Sequence, residues 1–276
     1  MLFKEMSMKH YKKVLTIAGS DSGGGAGIQA DIKTMSACGC YAMSAITAIT
    51  AQNTVGVSRI HNVPADMVAA QIAAVLEDIG VDAVKLGMLP TEASVVAIAG
   101  LLKKYEVTNV VLDPVMVSTS GSRLIDEPAA EAIRTHLFPL ATVVTPNIPE
   151  TEYLTGLEIG SEADFAGAAV AMSQQRVRAV LFKAGHLDGE TLTDYLFDSE
   201  KLIRHYRYER INTLNTHGTG CSLSSAIASY LALAYPLAEA VQLAENYLHK
   251  AILNGCEYRL GHGHGPVHHF YKWWAE

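Results

Sequence analysis

Short β-prone apolar runs, VLTIAG (14–19), AITAIT (45–50), DAVKLG (82–87), NVVLD (109–113), TVVTP (142–146) and RAVLFKAG (178–185), recur along the chain with helical patterns between them. Strands that return in the same direction need a long crossover, usually a helix, so this alternation predicts an α/β fold with a mainly parallel sheet covered by helices. The interval 64–79 shows the helical pattern: Pro64 suits a first helical position, and Val68, Ile72, Val75, Leu76 and Ile79 keep helical spacing. The segment TLTDYLFDSEKLIRHYRY (191–208) breaks the rhythm. Two alternating runs flank the turn-like Asp198-Ser199-Glu200-Lys201, which predicts an antiparallel hairpin at one sheet edge. With no Pro-, Gly- or Ser-rich linker, internal repeat or low-complexity segment, residues 11–276 are expected to form one domain. Residues 1–10, which include Met6 and Met8, read as a disordered or variably started leader.

In such a sheet, ligands bind outside the carboxyl ends of the strands, so the loops that follow them carry the functional information. AGSDSGGGAGIQAD (18–31) follows the first strand. Its Gly25-Ala26-Gly27-Ile28-Gln29-Ala30 satisfies the relaxed dinucleotide pattern, but no acidic residue lies between Asp31 and Asp66 to serve as the expected ribose-binding carboxylate. A Walker loop fails because the sequence contains no Gly-Lys pair. What remains is a glycine turn that lets a ligand approach the backbone, with Asp21 and Asp31 as polar anchors, or simply a tight strand-to-helix connection. VLDPVM (111–116) and TPNIPETEYL (145–154) each stand at a strand end. Asp113 and Glu150 are located to supply the one or two carboxylates that usually hold nucleotide-bound Mg²⁺. Glu150 just after Pro149 also reads as an acid favoured by a helix dipole.

Residues 215–238, NTHGTGCSLSSAIASYLALAYPLA, carry no Asp, Glu, Lys or Arg at twenty-four consecutive positions. A helix apolar on every side is usually buried, yet this one starts with Gly218, Thr219, Gly220 and Cys221, whose unpaired N–H groups can converge on an anion such as phosphate. The helix dipole contributes up to ~2 kcal/mol, about 1.5 pKa units, enough to make Cys221 a usable base near neutral pH. The alternative is a small residue packing a helix start. Lys183 in FKAGH suits a phosphate contact or a plain surface position. Cys38-Gly39-Cys40 reads as a helix end, with Gly39 suited to its C-cap. His262, His264, His268 and His269 have no Cys or acidic cluster beside them to suggest a metal.

Composition narrows the partner. The 276 residues are 49% hydrophobic and 18% charged, enough to bury a sizeable core. The net charge of −7, from 21 basic and 28 acidic side chains with no long run of either sign, argues against nucleic acid or an anionic membrane and leaves a small molecule. No uninterrupted apolar stretch resembles a signal peptide or membrane span. The four cysteines form no CxxC pair or zinc spacing and read as reduced thiols in a cytoplasmic protein.

The motifs TIAGSDSGGGAGIQADIKT, AITAQNTVGV, KLGML, VVLDPVM, TPNIPE, FKAGH, NTHGTGCSLSSAIA and GPVHHF, in this order from about Lys13 to Trp274, resemble the hydroxymethylpyrimidine/phosphomethylpyrimidine kinases of the ribokinase superfamily. The resemblance implies a ribokinase-like three-layer sandwich with a mostly parallel central sheet, usually a homodimer. It implies two ATP- and Mg²⁺-dependent phosphorylations: of 4-amino-5-hydroxymethyl-2-methylpyrimidine, then of its monophosphate, on the route to thiamin. Asp31 and Gln52 would hydrogen-bond the aminopyrimidine, and Gly19 and Met88 would shape its pocket. Asp113, Asn147, Lys183 and Thr216 would meet the nucleotide, Asp113 and Glu150 the magnesium, and Gly218, Thr219, Gly220 and Cys221 would form the catalytic anion hole. Many relatives have an aspartate base where this chain, like the pyrimidine kinases, has Cys221. A pyridoxal kinase of the same branch and a catalytically silent metabolite binder are the rival readings; Gln52 and Met88 favour the pyrimidine. The loop at Ser118-Thr119-Ser120-Gly121 reads as a mobile lid.

Overall fold

The computed structural model describes residues 9–116, 125–185 and 189–274; the lid expected at 118–121 and most of the leader expected at 1–10 lie outside them. Six strands, β1 (Lys13–Asp21), β2 (Tyr41–Gln52), β4 (Ala83–Leu86), β5 (Val110–Leu112), β6 (Val143–Val144) and β7 (Ala179–Phe182), run parallel to one another. Three more, β3 (Val57–Asn62), β8 (Thr191–Asp198) and β9 (Lys201–Glu209), complete a mixed nine-stranded sheet in the order β3-β2-β1-β4-β5-β6-β7-β8-β9. The expected hairpin is β8–β9, at the edge as predicted, and β8 also pairs antiparallel with β7. The opposite edge, β3, was not foreseen; it is a largely exposed strand paired antiparallel to β2.

Strand parity divides the core. Leu15, Ile17, Val110, Leu112, Val144, Val180 and Phe182 point to one face, where they meet α2 (Ala65–Asp78), α3 (Glu92–Lys104), α4 (Glu127–Ala132) and α6 (Asp164–Gln174). Their strand neighbours Val14, Val111, Val143 and Leu181 point to the other, under α1 (Gly27–Ala37), α7 (Thr219–Ala232) and α8 (Leu237–Gly255). Successive side chains on a strand alternate faces, and both faces being covered explains why these runs are apolar throughout. The three layers and mostly parallel sheet agree with the expected architecture. Pro64 is the N-cap of α2, one position earlier than expected, and Gly39 follows the Cys38 C-cap of α1 in the left-handed region (φ +86°), where glycine carries little penalty.

The charge-free helix is α7, packed between the sheet, α1 and α8. Its buried serines stay satisfied inside the core: Ser225 Oγ donates to Asp31 (2.8 Å), Ser229 Oγ to the Ser225 carbonyl (2.8 Å) and Ser224 Oγ to the Gly220 carbonyl (2.9 Å). Strand order reverses around β1, flanked by β2 on one side and β4 on the other, and the cavity opens above that switch point. Among the described residues no helix is long and apolar enough to cross a membrane.

Candidate active site

One cavity of about 1020 Å³ runs along the carboxyl ends of the parallel strands. At one end, above β1, β2 and β4, lie Gly19, Gln52 and Met88. Gly19 lets the Met88 side chain close over it: a Cβ there would sit 2.5 Å from the Met88 methyl carbon and push that side chain away. Above β5 to β7 lie Asp113, Asn147 and Lys183, opposite the start of α7. Beyond them, above β8 and β9, the cavity continues between those strands and α8.

The α7 start is joined to the first loop. The Asp21 carboxylate accepts backbone N–H groups of Gly23 (2.8 Å), Gly25 (3.0 Å) and Ala26 (2.8 Å) and lies 2.9 Å from His217 Nε2. Burial works against its charge, but the His217 bond and these amides hold the carboxyl below its usual range. Gly218 takes φ +81°, and a Cβ there would run into the Gly25 carbonyl oxygen, so the two glycine loops pack backbone to backbone. Gln52 Nε2 approaches the same His217 nitrogen at 3.3 Å.

In the middle of the cavity, Lys183 Nζ lies 2.9 Å from Asp113 Oδ1 and 4.0 Å from Glu150 Oε2. Thr145 Oγ1 also donates to Asp113 (3.2 Å). Burial opposes ionisation of Asp113, and Lys183 and Lys85 overcome it, so its carboxyl is held low. The expected helix-start role of Glu150 is realised as a capping box: Asn147 Oδ1 accepts from Glu150 N (2.9 Å) and Glu150 Oε2 from Asn147 N (2.8 Å). Burial pushes the Glu150 carboxyl up to about 7; Lys183 lowers it and the Asp113 charge raises it. A Cβ on Gly220 would lie 3.3 Å from Lys183 Nζ, so the missing side chain lets the helix start approach the ion pair closely.

Two expectations are corrected. Asp31 does not line the cavity. Its fully buried carboxylate already accepts from Thr16 Oγ1 (2.6 Å), Ser225 Oγ (2.8 Å) and Lys85 Nζ (2.8 and 2.9 Å), leaving no oxygen for a ring. It anchors Lys85, whose burial lowers the ammonium pKa less than Asp31 and its neighbours raise it. Nor is the Cys221 thiol depressed: burial pushes it up to about 11, with Asp31 and Asp113 adding to the rise and Lys85 opposing it. The helix dipole falls short of that desolvation.

The remaining sequence-predicted residues, Gly19, Gln52, Met88, Asp113, Asn147, Glu150, Lys183, Thr216, Gly218, Thr219, Gly220 and Cys221, all line the cavity. Asp21, the expected polar anchor of the glycine turn, lines it too, and Lys85 and His217 stand among them without having been assigned roles. Lys85 was hidden as a strand residue, though a lysine within an apolar run was a usable signal. Among the described residues no group of three or more His, Cys, Asp and Glu could hold a metal by itself. His269 is buried against Ser222 (3.2 Å).

The phosphomethylpyrimidine kinase family model matches residues 21–268. The chain is 51% identical to the hydroxymethylpyrimidine/phosphomethylpyrimidine kinase of Rhizobium meliloti over 263 residues, 95% of this chain and 98% of that one. Among solved structures, the phosphomethylpyrimidine kinase of Clostridium difficile is 46% identical with a TM-score of 0.77, over 87% of this chain and 99% of that one. The ADP complex of Bacillus subtilis pyridoxal kinase is 37% identical with a TM-score of 0.87, over 94% of this chain and 98% of that one.

Proposed function

The chain belongs to the phosphomethylpyrimidine kinase family, and from that premise we propose that it phosphorylates 4-amino-5-hydroxymethyl-2-methylpyrimidine from ATP and then phosphorylates the monophosphate to the diphosphate. The observation that carries this reading is the order of groups along one cavity: an end lined by Gly19, Gln52 and Met88, then Cys221 at an amide-rich helix start, then Lys183 with its two carboxylates.

Phosphoryl transfer depends mostly on positioning and on stabilising the charge of the moving group. Gln52 takes the polar edge of the ring, and Met88, seated against Gly19, packs on its face. The helix-start amides at Gly220 and Cys221 and the Lys183 ammonium converge on the transferring group, while the Thr219 N–H bonds the Thr216 carbonyl (3.3 Å). Thr216 and Asn147 flank the donor phosphates. Cys221 takes the proton of the attacking hydroxyl in the first reaction; in the second, the attacking phosphate oxygen needs no such help. Asp113 and Glu150 fit a Mg²⁺ ion, because two buried carboxylates share one ammonium there, and burial, with the Asp113 charge adding to it, raises Glu150 despite Lys183. That ion, when bound, supplies further neutralisation of the donor phosphates. Homodimer formation and a cytoplasmic setting are proposed on the family resemblance alone.

Pyridoxal is the second acceptor to consider, since a pyridoxal kinase shares the fold at a TM-score of 0.87. The test is turnover of the hydroxymethylpyrimidine, its monophosphate and pyridoxal with Mg-ATP, followed by mass spectrometry. Higher kcat/KM on both pyrimidines is expected. Preference for pyridoxal, or no turnover of any acceptor, would overturn the proposal.

A further inference from the structure

The GHGHGP run (261–266) has no part in the chemistry above, yet it holds together the two walls at the acceptor end of the cavity. One wall is the tip of the β2–β3 hairpin. Little packing fixes that tip: β3 is exposed over nearly all its length and Val55 is 66% exposed, so its position depends on a few polar contacts. On one side, Ser22 Oγ donates to the Gln52 carbonyl (2.7 Å) and accepts the Gln52 N–H (2.8 Å). On the other, Thr54 takes three backbone N–H groups of the run. Its Oγ1 accepts from His262 and Gly263 (3.2 Å each), and its carbonyl accepts from His264 (3.0 Å). The next residue reaches the second wall, where the Gly265 carbonyl accepts the His217 N–H (3.0 Å) just before α7. Asn215 Nδ2, two residues earlier, donates to the Gly255 and Tyr258 carbonyls (2.7 and 2.6 Å), which ties this wall to the end of α8.

The alternation of glycine and histidine follows from these contacts. A Cβ on Gly261 or Gly263 would run into Thr54, and one on Gly265 into the Asn215 side-chain oxygen, whereas His262 and His264 are exposed. The run is therefore a strap that presses bare backbone onto the hairpin tip and the α7 approach. Between the two walls Gln52 Nε2 meets His217 Nε2 at 3.3 Å.

We propose that Thr54 is a positioning residue for acceptor binding: gripped by the strap, it fixes the hairpin tip, and through it Gln52, at the distance from the α7 start that the pyrimidine ring requires. Thr54 itself does not line the cavity. The inference rests on the acceptor site proposed above. Coupling of this kind is reciprocal, so an acceptor that binds better with the strap closed also strengthens the strap contacts.

The full-length protein is compared with Thr54→Val, Gln52→Ala and the double variant by steady-state kinetics. Valine keeps the shape of threonine and removes the oxygen that accepts two strap amides. Gln52→Ala should raise KM for the hydroxymethylpyrimidine roughly 2- to 12-fold, the range of one neutral hydrogen bond, and Thr54→Val by no more than that, since it acts through Gln52. Thr54→Val should raise KM for the monophosphate by a similar factor, leave KM for ATP unchanged, and add nothing in the Gln52→Ala background. Thr54→Ser, which restores the hydroxyl, should recover the loss. An unchanged acceptor KM in either single variant, an equal rise in KM for ATP, or effects that add fully in the double variant overturn the positioning role. Should Thr54→Val not fold, amide exchange in the unaltered protein decides: the pyrimidine should slow exchange at His262, Gly263 and His264, and unchanged exchange refutes the link. Failure to phosphorylate either pyrimidine sinks the acceptor reading as well; turnover without this coupling sinks only the positioning role.

Discussion

A base with a high pKa leaves a signature in the pH dependence of the first phosphorylation. The Cys221 thiol is raised to about 11, so roughly one molecule in 10⁴ carries the thiolate at pH 7 and roughly one in ten at pH 10. If the thiolate removes the hydroxyl proton, kcat/KM for the hydroxymethylpyrimidine rises about tenfold per pH unit over this range, some ~10³-fold in all. The monophosphate, with a second pKa of about 6, is already ionised throughout and shows no such rise. Glu150, at about 7, titrates within the same window but acts at the donor side common to both reactions, so the ratio of the two kcat/KM values cancels it. The assay is steady-state kinetics with both acceptors at constant ionic strength from pH 7 to 10, repeated on Cys221→Ala. The substitution is expected to remove the slope and to lower the alcohol reaction by about 10²–10⁴-fold, the usual contribution of a general base. A ratio that stays flat with pH, or equal losses on both acceptors, would refute the base role and leave Cys221 as a packing residue at the helix start.

Three further perturbations test the rest of the site. Glu150 binds its proton more tightly in the fold, at about 7 against an ordinary 4.5, so its contribution to stability is full below that lower value and lost as pH rises through 7. Glu150→Gln should remove this slope from the Tm of the ligand-free protein. It should also flatten the magnesium dependence of turnover, which in the unaltered enzyme sharpens as pH rises through 7 and the competing proton leaves. Lys183→Met strands the buried Asp113 carboxylate; urea unfolding should show a loss of about 3–5 kcal/mol, and kcat should fall, whereas unchanged stability would mean that the ion pair is not formed. Gly218→Ala forces a side chain onto the Gly25 carbonyl at positive φ and should cost about 1–3 kcal/mol together with loss of donor binding; near-normal unfolding would contradict the close packing of the two loops.

What could be read from the sequence was what is local. Val110, Val111 and Leu112 announce a strand buried on both faces because their apolarity is unbroken, whereas β3 carries Ser58, Arg59, His61 and Asn62 and looks like any polar connection. Strand-end loops likewise exposed most of the site residues, since glycines and carboxylates in such loops have few structural reasons to be there. The errors concern what surrounds a group. The dipole at Cys221 belongs to its own helix and is visible in the GTGC run, but the thiol pKa is set first by burial, and then by the charges of Lys85, which opposes the rise, and of Asp31 and Asp113, which add to it, all of them on other parts of the chain. Asp31 sits in a ligand-like motif and still turns inward, because the cation that claims it is Lys85, on the neighbouring strand side of the switch point. Charge balance across non-adjacent elements is therefore where sequence reading fails first in this fold, and these two places are also where substitution should alter chemistry more than folding pattern.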